Sequence, residues 1–323
     1  MTKLAQRCLA ATAALAFGLA GSAALGQTRT VAVTAIVEHP ALDAARDGIL
    51  AYLEEAGFKQ GQNLEFVYES AQGNPAVAAQ IARRFIGMAP DVIVPISTPS
   101  AQAVVSATQD IPVVFTAVTD PVGAKLVTDD RKPGGNVTGV SDMSPIARHL
   151  DLIKEIKPET QRLGVIFNPG EANAVTLVEL IKEEAPARQL ELVEVSAAKS
   201  SDVLAAAQSL VGNVDAIYVP TDNTVVSALE AVIKVGIDNG IPVFAGDTDS
   251  VTRGAVAALG FDYFDVGRET GELVLRVLNG EAPGGMPVRG IEITKLHLNP
   301  NSARQMGLEI PAAVVDRADV VVK

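Results

Sequence analysis

The residues equipped to hold a small molecule lie in short polar clusters, each closing an apolar run. Ser97-Thr98-Pro99-Ser100 follows Asp91-Val-Ile-Val-Pro-Ile96, and a segment ending in Thr119 and Asp120 follows Ile111-Pro-Val-Val-Phe115. Thr221-Asp222-Asn223 follows Asp215-Ala-Ile-Tyr-Val-Pro220, and Asp247-Thr248-Asp249 follows Ile241-Pro-Val-Phe-Ala-Gly246. Glu38, at the end of the first apolar run, and Asn168, Glu171 and Asn173, after another, complete the set. The hydroxyls of Ser97, Thr98 and Ser100 precede a helical stretch, so they share the helix N-terminus with unpaired backbone N–H groups, a setting that favours a carboxylate. Asp222 and Asp247 at strand ends suit an ammonium group held by charge-assisted hydrogen bonds. Ser or Thr ahead of a helix is also ordinary capping, as are Asp222 and Asn223 before Thr224. No helix is expected directly after Asp247 and Asp249, so capping explains them less well. A neutral, donor-rich cluster in one half and carboxylates in the other fit a ligand with one anionic and one cationic group: a free amino acid.

Signatures of catalysis or metal binding are missing. The three histidines, His39, His149 and His297, have no spacing that groups them around a metal. His39, beside Pro40 at a strand end, reads as a hydrogen-bonding or packing residue. Gly139-Val-Ser141-Asp142-Met143 lacks the last glycine of a nucleophile elbow, and no phosphate-binding Gly-Lys-Ser/Thr loop occurs. Pro133-Gly134-Gly135-Asn136 reads as a turn or hinge. No cofactor, metal or catalytic residue is expected. Two alternatives stay open on the residues alone: a secreted α/β enzyme using Asp222, Asp247 or His39 as acid or base, and a sensory solute receptor.

The elements that position these clusters alternate. Apolar strands at residues 30–37, 64–68, 92–96, 112–115 and 137–140 are separated by helical periodicity at 41–56, 77–88 and 98–108. A second series has strands at 163–167, 190–195, 216–219, 242–244 and 255–259, with helices at 146–156, 172–185, 202–210, 224–239 and 266–279. Alternation of this kind predicts parallel sheets covered by helices, and the series change over near Asn136–Ser144. The two series also match: Asp-x-Ile, a polar turn and Ile-Pro-Val recur in the same order. The fold class is therefore α/β with two Rossmann-like lobes, each a parallel sheet flanked by helices. In such sheets ligands bind beyond the carboxyl ends of the strands, where the polar clusters stand.

The 323 residues are comfortable for two domains. A net charge of −12 argues against a nucleic-acid partner. Lys3 and Arg7 precede an uncharged Ala/Leu-rich stretch from Cys8 to about Leu25, with small residues at Ala24 and Gly26, the order of a secretory signal peptide over 1–26. The one cysteine, Cys8, lies within it, so an exported, soluble mature chain starting near Gln27 or Thr28 has no thiol chemistry.

Together several stretches resemble a known family. Ile36-Val-Glu-His-Pro-Ala-Leu-Asp43, Ser97-Thr-Pro-Ser-Ala-Gln102, Phe115-Thr-Ala-Val-Thr-Asp-Pro121, Gly134-Gly-Asn-Val-Thr-Gly-Val-Ser-Asp142, Glu171-Ala-Asn173 and Val219-Pro-Thr-Asp-Asn223 are similar to the TrpX-like substrate-binding proteins of bacterial ABC importers. The resemblance implies the type I periplasmic-binding-protein fold with three crossover strands as its hinge. It places 27–141 with 263–288 in the first lobe and 142–262 with 289–323 in the second. It also implies a monomer in the periplasm that delivers an amino acid, often aromatic, to an inner-membrane permease and its ATPase. Pro169-Gly170 departs from the family, where Ser residues are frequent.

Overall fold

The computed structural model describes residues 28–322; the proposed signal peptide at 1–26 lies outside them. Thirteen strands build two sheets. In the first half these are β1 (Arg29–Ala35), β2 (Leu64–Ser70), β3 (Val92–Ile96), β4 (Val113–Val118) and β5 (Val137–Ser141). The second half contributes β6 (Arg162–Phe167), β7 (Glu191–Ser196), β8 (Ala216–Val219), β9 (Val243–Ala245) and β10 (Ala257–Gly260). The C-terminal segment adds β11 (Arg289–Gly290), β12 (Lys295–Leu298) and β13 (Val320–Val321).

The first sheet has the order β11-β5-β4-β3-β1-β2 and is wholly parallel. The second has the order β13-β12-β10-β9-β8-β6-β7, parallel except that β12 runs antiparallel to β10. Every residue of β3, β4 and β8 is buried, because helices cover both faces of a parallel sheet. This accounts for the continuous apolar runs in the sequence. A core lies on each face of the first sheet, and a third fills the second lobe.

Three chain segments cross between lobes. One follows Ser141 into the helix Ile146–Ile156, one follows Gly260 back to the helix Tyr263–Leu278, and one joins Gly290 to β12. Because Arg289 and Gly290 pair with Val140 and Ser141, the first sheet runs two residues past the boundary expected at 288. The crossovers are stitched together: Tyr263 Oη donates to Asp142 Oδ2 at 2.7 Å, and Lys295 Nζ to Asp262 Oδ2 at 2.8 Å. The helix Tyr263–Leu278 lies so close to Pro40–Glu55 that a Cβ on Gly267 would fall 2.1 Å from the Ala45 carbonyl oxygen.

Two local differences from the sequence reading matter for the site. The helix expected at 224–239 is two helices, Asn223–Ser227 and Leu229–Asn239, interrupted where Ala228 adopts φ −121° and ψ 27°. A four-residue helix, Asp249–Thr252, does follow Asp247 directly. It is too short to leave a periodicity signal.

Candidate functional site

A cavity enclosing about 330 Å³ of empty space, part of it open to solvent, lies between the lobes. The first lobe lines it with His39, Ala41, Leu42, Ala117 and Thr119, the second with Asn173, Thr221, Asp222, Asn223, Val226 and Asp247, and the crossovers with Asp142 and Tyr263. All of these except Ala117, which lies within β4, follow the carboxyl end of a strand or stand early in the helix after it, as an open parallel sheet requires. Ala117 reaches the cavity through a bulge: it takes φ +52°, and the pairing of β4 with β5 slips between Phe115 and Val118.

Of the residues singled out from sequence, Thr119, Asn173, Thr221, Asp222, Asn223 and Asp247 line the cavity. Ser97, Thr98 and Ser100 are buried at the end of β3, between β1 and β4, whose following residues His39, Ala117 and Thr119 form the wall. Simple capping does not account for them. Ser97 occupies the N-cap of Thr98–Val105 yet makes no side-chain cap bond, and the Oγ atoms of Ser97 and Ser100 and Oγ1 of Thr98 have no partner among the described residues. Ser97 also holds φ +76° and ψ 157°, a region almost confined to glycine. Buried unpaired hydroxyls are uncommon, and here three adjoin one helix N-terminus.

Four expected residues sit elsewhere. Glu38 is exposed and accepts from Gln72 Nε2 at 3.2 Å; the cavity position is taken by its neighbour His39, because Glu38 has already left the strand on the solvent side. Asp120 caps its own turn, accepting from Gly123 N at 2.8 Å. Asn168 is spent on local bonds, from Nδ2 to Thr224 Oγ1 at 2.8 Å and from Gly170 N to its Oδ1 at 2.9 Å. Glu171 lies behind the wall. Its Oε2 accepts from Asn223 N, Asn223 Nδ2 and Asn173 Nδ2, and its Oε1 from Thr224 N and Thr224 Oγ1.

Asp222 answers Glu171 from the opposite turn. Its oxygens accept from Asn168 N and Val225 N, so the two turns are cross-clamped by carboxylates. Burial first, and the nearby Glu171 second, push the Asp222 carboxyl upward. Asp247 is spent on Ser250 N at 2.8 Å and Ser250 Oγ at 2.6 Å, the capping role that its sequence context did not reveal. Burial raises its carboxyl as well, and that of Asp142. The cavity thus holds three buried carboxyls and neither Lys nor Arg in its wall. Buried carboxylates without a cation are costly, so the wall favours a positively charged group.

The reading of His39 as a hydrogen-bonding or packing residue did not place it in the cavity, where it stands. Burial, reinforced by Arg253, pulls its imidazole down to about 3, so the ring is neutral. Asp142, Tyr263 and Ala117 were also missed; a bulge and crossovers place them, and these leave no mark on local periodicity. Among the described residues no group of three or more His, Cys, Asp or Glu is arranged to hold a metal ion, and no helix is long and apolar enough to cross a membrane.

Most of the chain has well-defined relatives. It is 40% identical to a tyrosine-binding protein of Clostridioides difficile (strain R20291) over 281 residues, 87% of this chain and 81% of that one. The crystal structure of an ABC domain in complex with L-Trp from Streptococcus pneumonia superposes with a TM-score of 0.88 at 33% identity, covering 92% of this chain and all of that one. The ligand-free, open structure of a substrate binding protein with adhesive properties from Clostridium difficile gives only 0.69 at 39% identity, covering 92% and 99%. Overall, this chain superposes better on the L-Trp complex, at 0.88, than on the ligand-free, open structure, at 0.69. The family model for ABC transporter substrate binding proteins matches residues 30–322, and the chain belongs to that family.

Proposed function

We propose that this substrate-binding protein closes its lobes over a free amino acid, preferentially an aromatic one. The observation that carries the reading is the asymmetry of the interlobe cavity. Unpaired hydroxyls at a helix N-terminus stand behind the first-lobe wall, and carboxyls occupy the second-lobe wall and the crossovers. The ligand carboxylate goes to Ser97, Thr98 and Ser100. The ammonium goes toward Asn173, Thr221 and Asn223, in the field of Asp222 and Asp247. Ala41, Leu42, Ala117, Val226 and Tyr263 remain for the side chain, and small residues among them leave room for a ring. Relatives that bind tyrosine and L-Trp support the aromatic preference.

Residues 1–26 direct export to the periplasm, where the monomeric receptor presents its closed form to a permease and its ATPase. It transforms nothing: Thr119 and Asp120 serve the wall and its turn, and Asn168 and Glu171 support the facing loops. Calorimetry of the chain from Thr28 onward against the common amino acids tests the proposal. Binding at micromolar or lower concentration, tightest for an aromatic residue, is expected. Failure of every amino acid to bind overturns it.

A further inference from the structure

The second-lobe wall of the cavity contains a broken helix, and one buried arginine spans the break. Asn223 and Val226 both line the cavity from the five-residue helix Asn223–Ser227. That helix stops at Ala228, and Leu229–Asn239 begins at once. A helix of five residues holds little of its own stability, and its last carbonyls look beyond it for donors.

Arg253 supplies those donors. Its Nη1 donates to the Val226 carbonyl at 2.8 Å, on the near side of the break. Its Nε and Nη2 donate to Glu230 Oε1 and Oε2 at 2.7 and 2.8 Å, on the far side. The planar guanidinium can grip a carboxylate with two N–H groups and reach a third acceptor at once, which an ammonium cannot. Exposed ion pairs contribute little, but only 14% of the Arg253 side chain is exposed. A cation beside the last carbonyls of a helix is favoured by the helix dipole as well.

The chain delivers Arg253 to this place from the cavity itself. Asp247, in the wall, accepts from Ser250 N and Oγ and so starts the helix Asp249–Thr252, whose C-cap is Arg253. Asn299 Nδ2 secures the same short helix through the Val251 carbonyl at 3.0 Å. The next residue, Gly254, has φ +118°, and a Cβ there would fall 2.7 Å from Ile233 Cγ2 in Leu229–Asn239. Glycine thus lets Arg253 lie against the broken helix. Behind the wall, Arg253 joins the turn of Asp247 to the helix of Asn223 and Val226.

We infer that Arg253 is a positioning residue of the binding site: it holds the break at Ala228 so that Val226 presents a fixed surface to the side chain of the bound amino acid. This rests on the amino-acid reading above, in which Val226 serves the ligand side chain. Arg253 does not itself line the cavity, so its effect passes through the helix it holds.

The test uses the full mature chain with L-phenylalanine, L-tyrosine and L-tryptophan as probes. Arg253→Met keeps an aliphatic stem and removes all three donors. In calorimetry its affinity for the tightest of the three falls about tenfold, and that of Val226→Ala about fivefold. In the double variant the loss stays near tenfold, because both changes act on one contact. Losses that multiply to about 50-fold overturn the inference, as does unchanged affinity in Arg253→Met; both leave the amino-acid reading standing. Amide hydrogen exchange without any probe reads the clamp alone. In Arg253→Met the amides from Val226 to Ala231 exchange at least about tenfold faster, while those of β8 keep wild-type rates. A merely global loss of stability speeds both alike and overturns the inference. Should Arg253→Met fold poorly, Glu230→Ala opens the far half of the clamp at a side chain that is 65% exposed. Wild-type exchange of the same amides in that variant overturns the inference too. If the wild type binds none of the three probes, the aromatic reading falls and the inference with it.

Discussion

Asp91 and Asp215 hold the same place in the two lobes, and each accepts from a backbone N–H and an arginine at the start of the neighbouring strand. Asp91 accepts from Thr30 N at 2.8 Å and Arg29 Nη1 at 2.6 Å, and its own N–H bonds the Thr30 carbonyl. Asp215 accepts from Arg162 N at 2.7 Å and Arg162 Nη2 at 3.5 Å, and its N–H bonds the Arg162 carbonyl. Each aspartate clasps the start of a lobe's first strand to the start of the strand beside it. The Asp-x-Ile that recurs in the sequence is this clasp.

Because the clasps sit at the opposite ends of the strands from the cavity, they separate stability from binding. Asp91→Ala and Asp215→Ala each cost about 1–2 kcal/mol in urea denaturation. Nearly all of it comes from stranded backbone donors, since partly exposed ion pairs add little. Ligand affinity measured by calorimetry stays within about twofold of wild type. A matching loss of affinity would mean that the strand starts communicate with the site.

The fold was legible because parallel strands are buried on both faces and appear as unbroken apolar runs between helical periods. The site was only partly so. Strand-end logic located Thr119, Asn173, Thr221, Asp222, Asn223 and Asp247, since it needs only the position at which an apolar run stops. It could not rank Glu38 against His39, because one residue past a strand the direction of a side chain depends on how the next helix starts. Asp142 and Tyr263 meet across 121 residues in two crossovers, and nothing local in either segment announces the other.

Ser97 couples strain to function. Its φ of +76° with ψ 157° is costly for any residue with a Cβ. Ser97→Gly should therefore raise stability by about 1 kcal/mol after the greater freedom of the unfolded glycine is set against the relieved strain. The same change removes a hydroxyl assigned to the ligand carboxylate, and affinity should drop about tenfold. Thermal unfolding and calorimetry on one preparation read both. A stabilised variant with unaltered affinity would remove Ser97 from the contact set.

The helix Tyr263–Leu278 carries a cavity residue at its start and, at Gly267, a glycine packed tightly against Pro40–Glu55. In Gly267→Ala the new methyl would meet the Ala45 carbonyl oxygen at 2.1 Å, so the helices must part. Backbone on backbone cannot yield by rotamer change, and the cost should reach at least about 2 kcal/mol. Tyr263 would shift with its helix, weakening its bond to Asp142 and the ligand affinity together. Gly285→Ala, where a Cβ meets nothing within 4 Å, is the control.

His149 gives the second lobe an acid-sensitive core. Its Nδ1 lies 2.6 Å from Tyr218 Oη, deep in that lobe and away from the cleft. Burial drives the Tyr218 hydroxyl far up, so it stays protonated and shares one hydrogen bond with Nδ1. Burial, helped by Arg148, pulls the His149 imidazole down to about 4. The unfolded ring titrates near 6.5, so between about pH 6.5 and 4 the unfolded chain binds a proton that the folded chain refuses. The stability this provides is present above 6.5 and is lost as pH falls through that window, at up to about 1.4 kcal/mol per pH unit. The raised carboxyls of Asp142, Asp222 and Asp247 act in the opposite sense, stabilising the fold in acid, so the overall curve mixes the two. His149→Asn isolates the imidazole by keeping a hydrogen-bonding group, able to donate or accept, for Tyr218 without the titration. At pH 7.5 the variant should be less stable by about 1–2 kcal/mol, from the smaller side chain in a filled core. At pH 4.5 the wild type has lost about 2–3 kcal/mol through His149 alone, so the variant should equal or exceed it. A stability gap between the two proteins that stays constant from pH 7.5 to 4.5 in denaturant titrations would show that His149 is charged within the folded lobe.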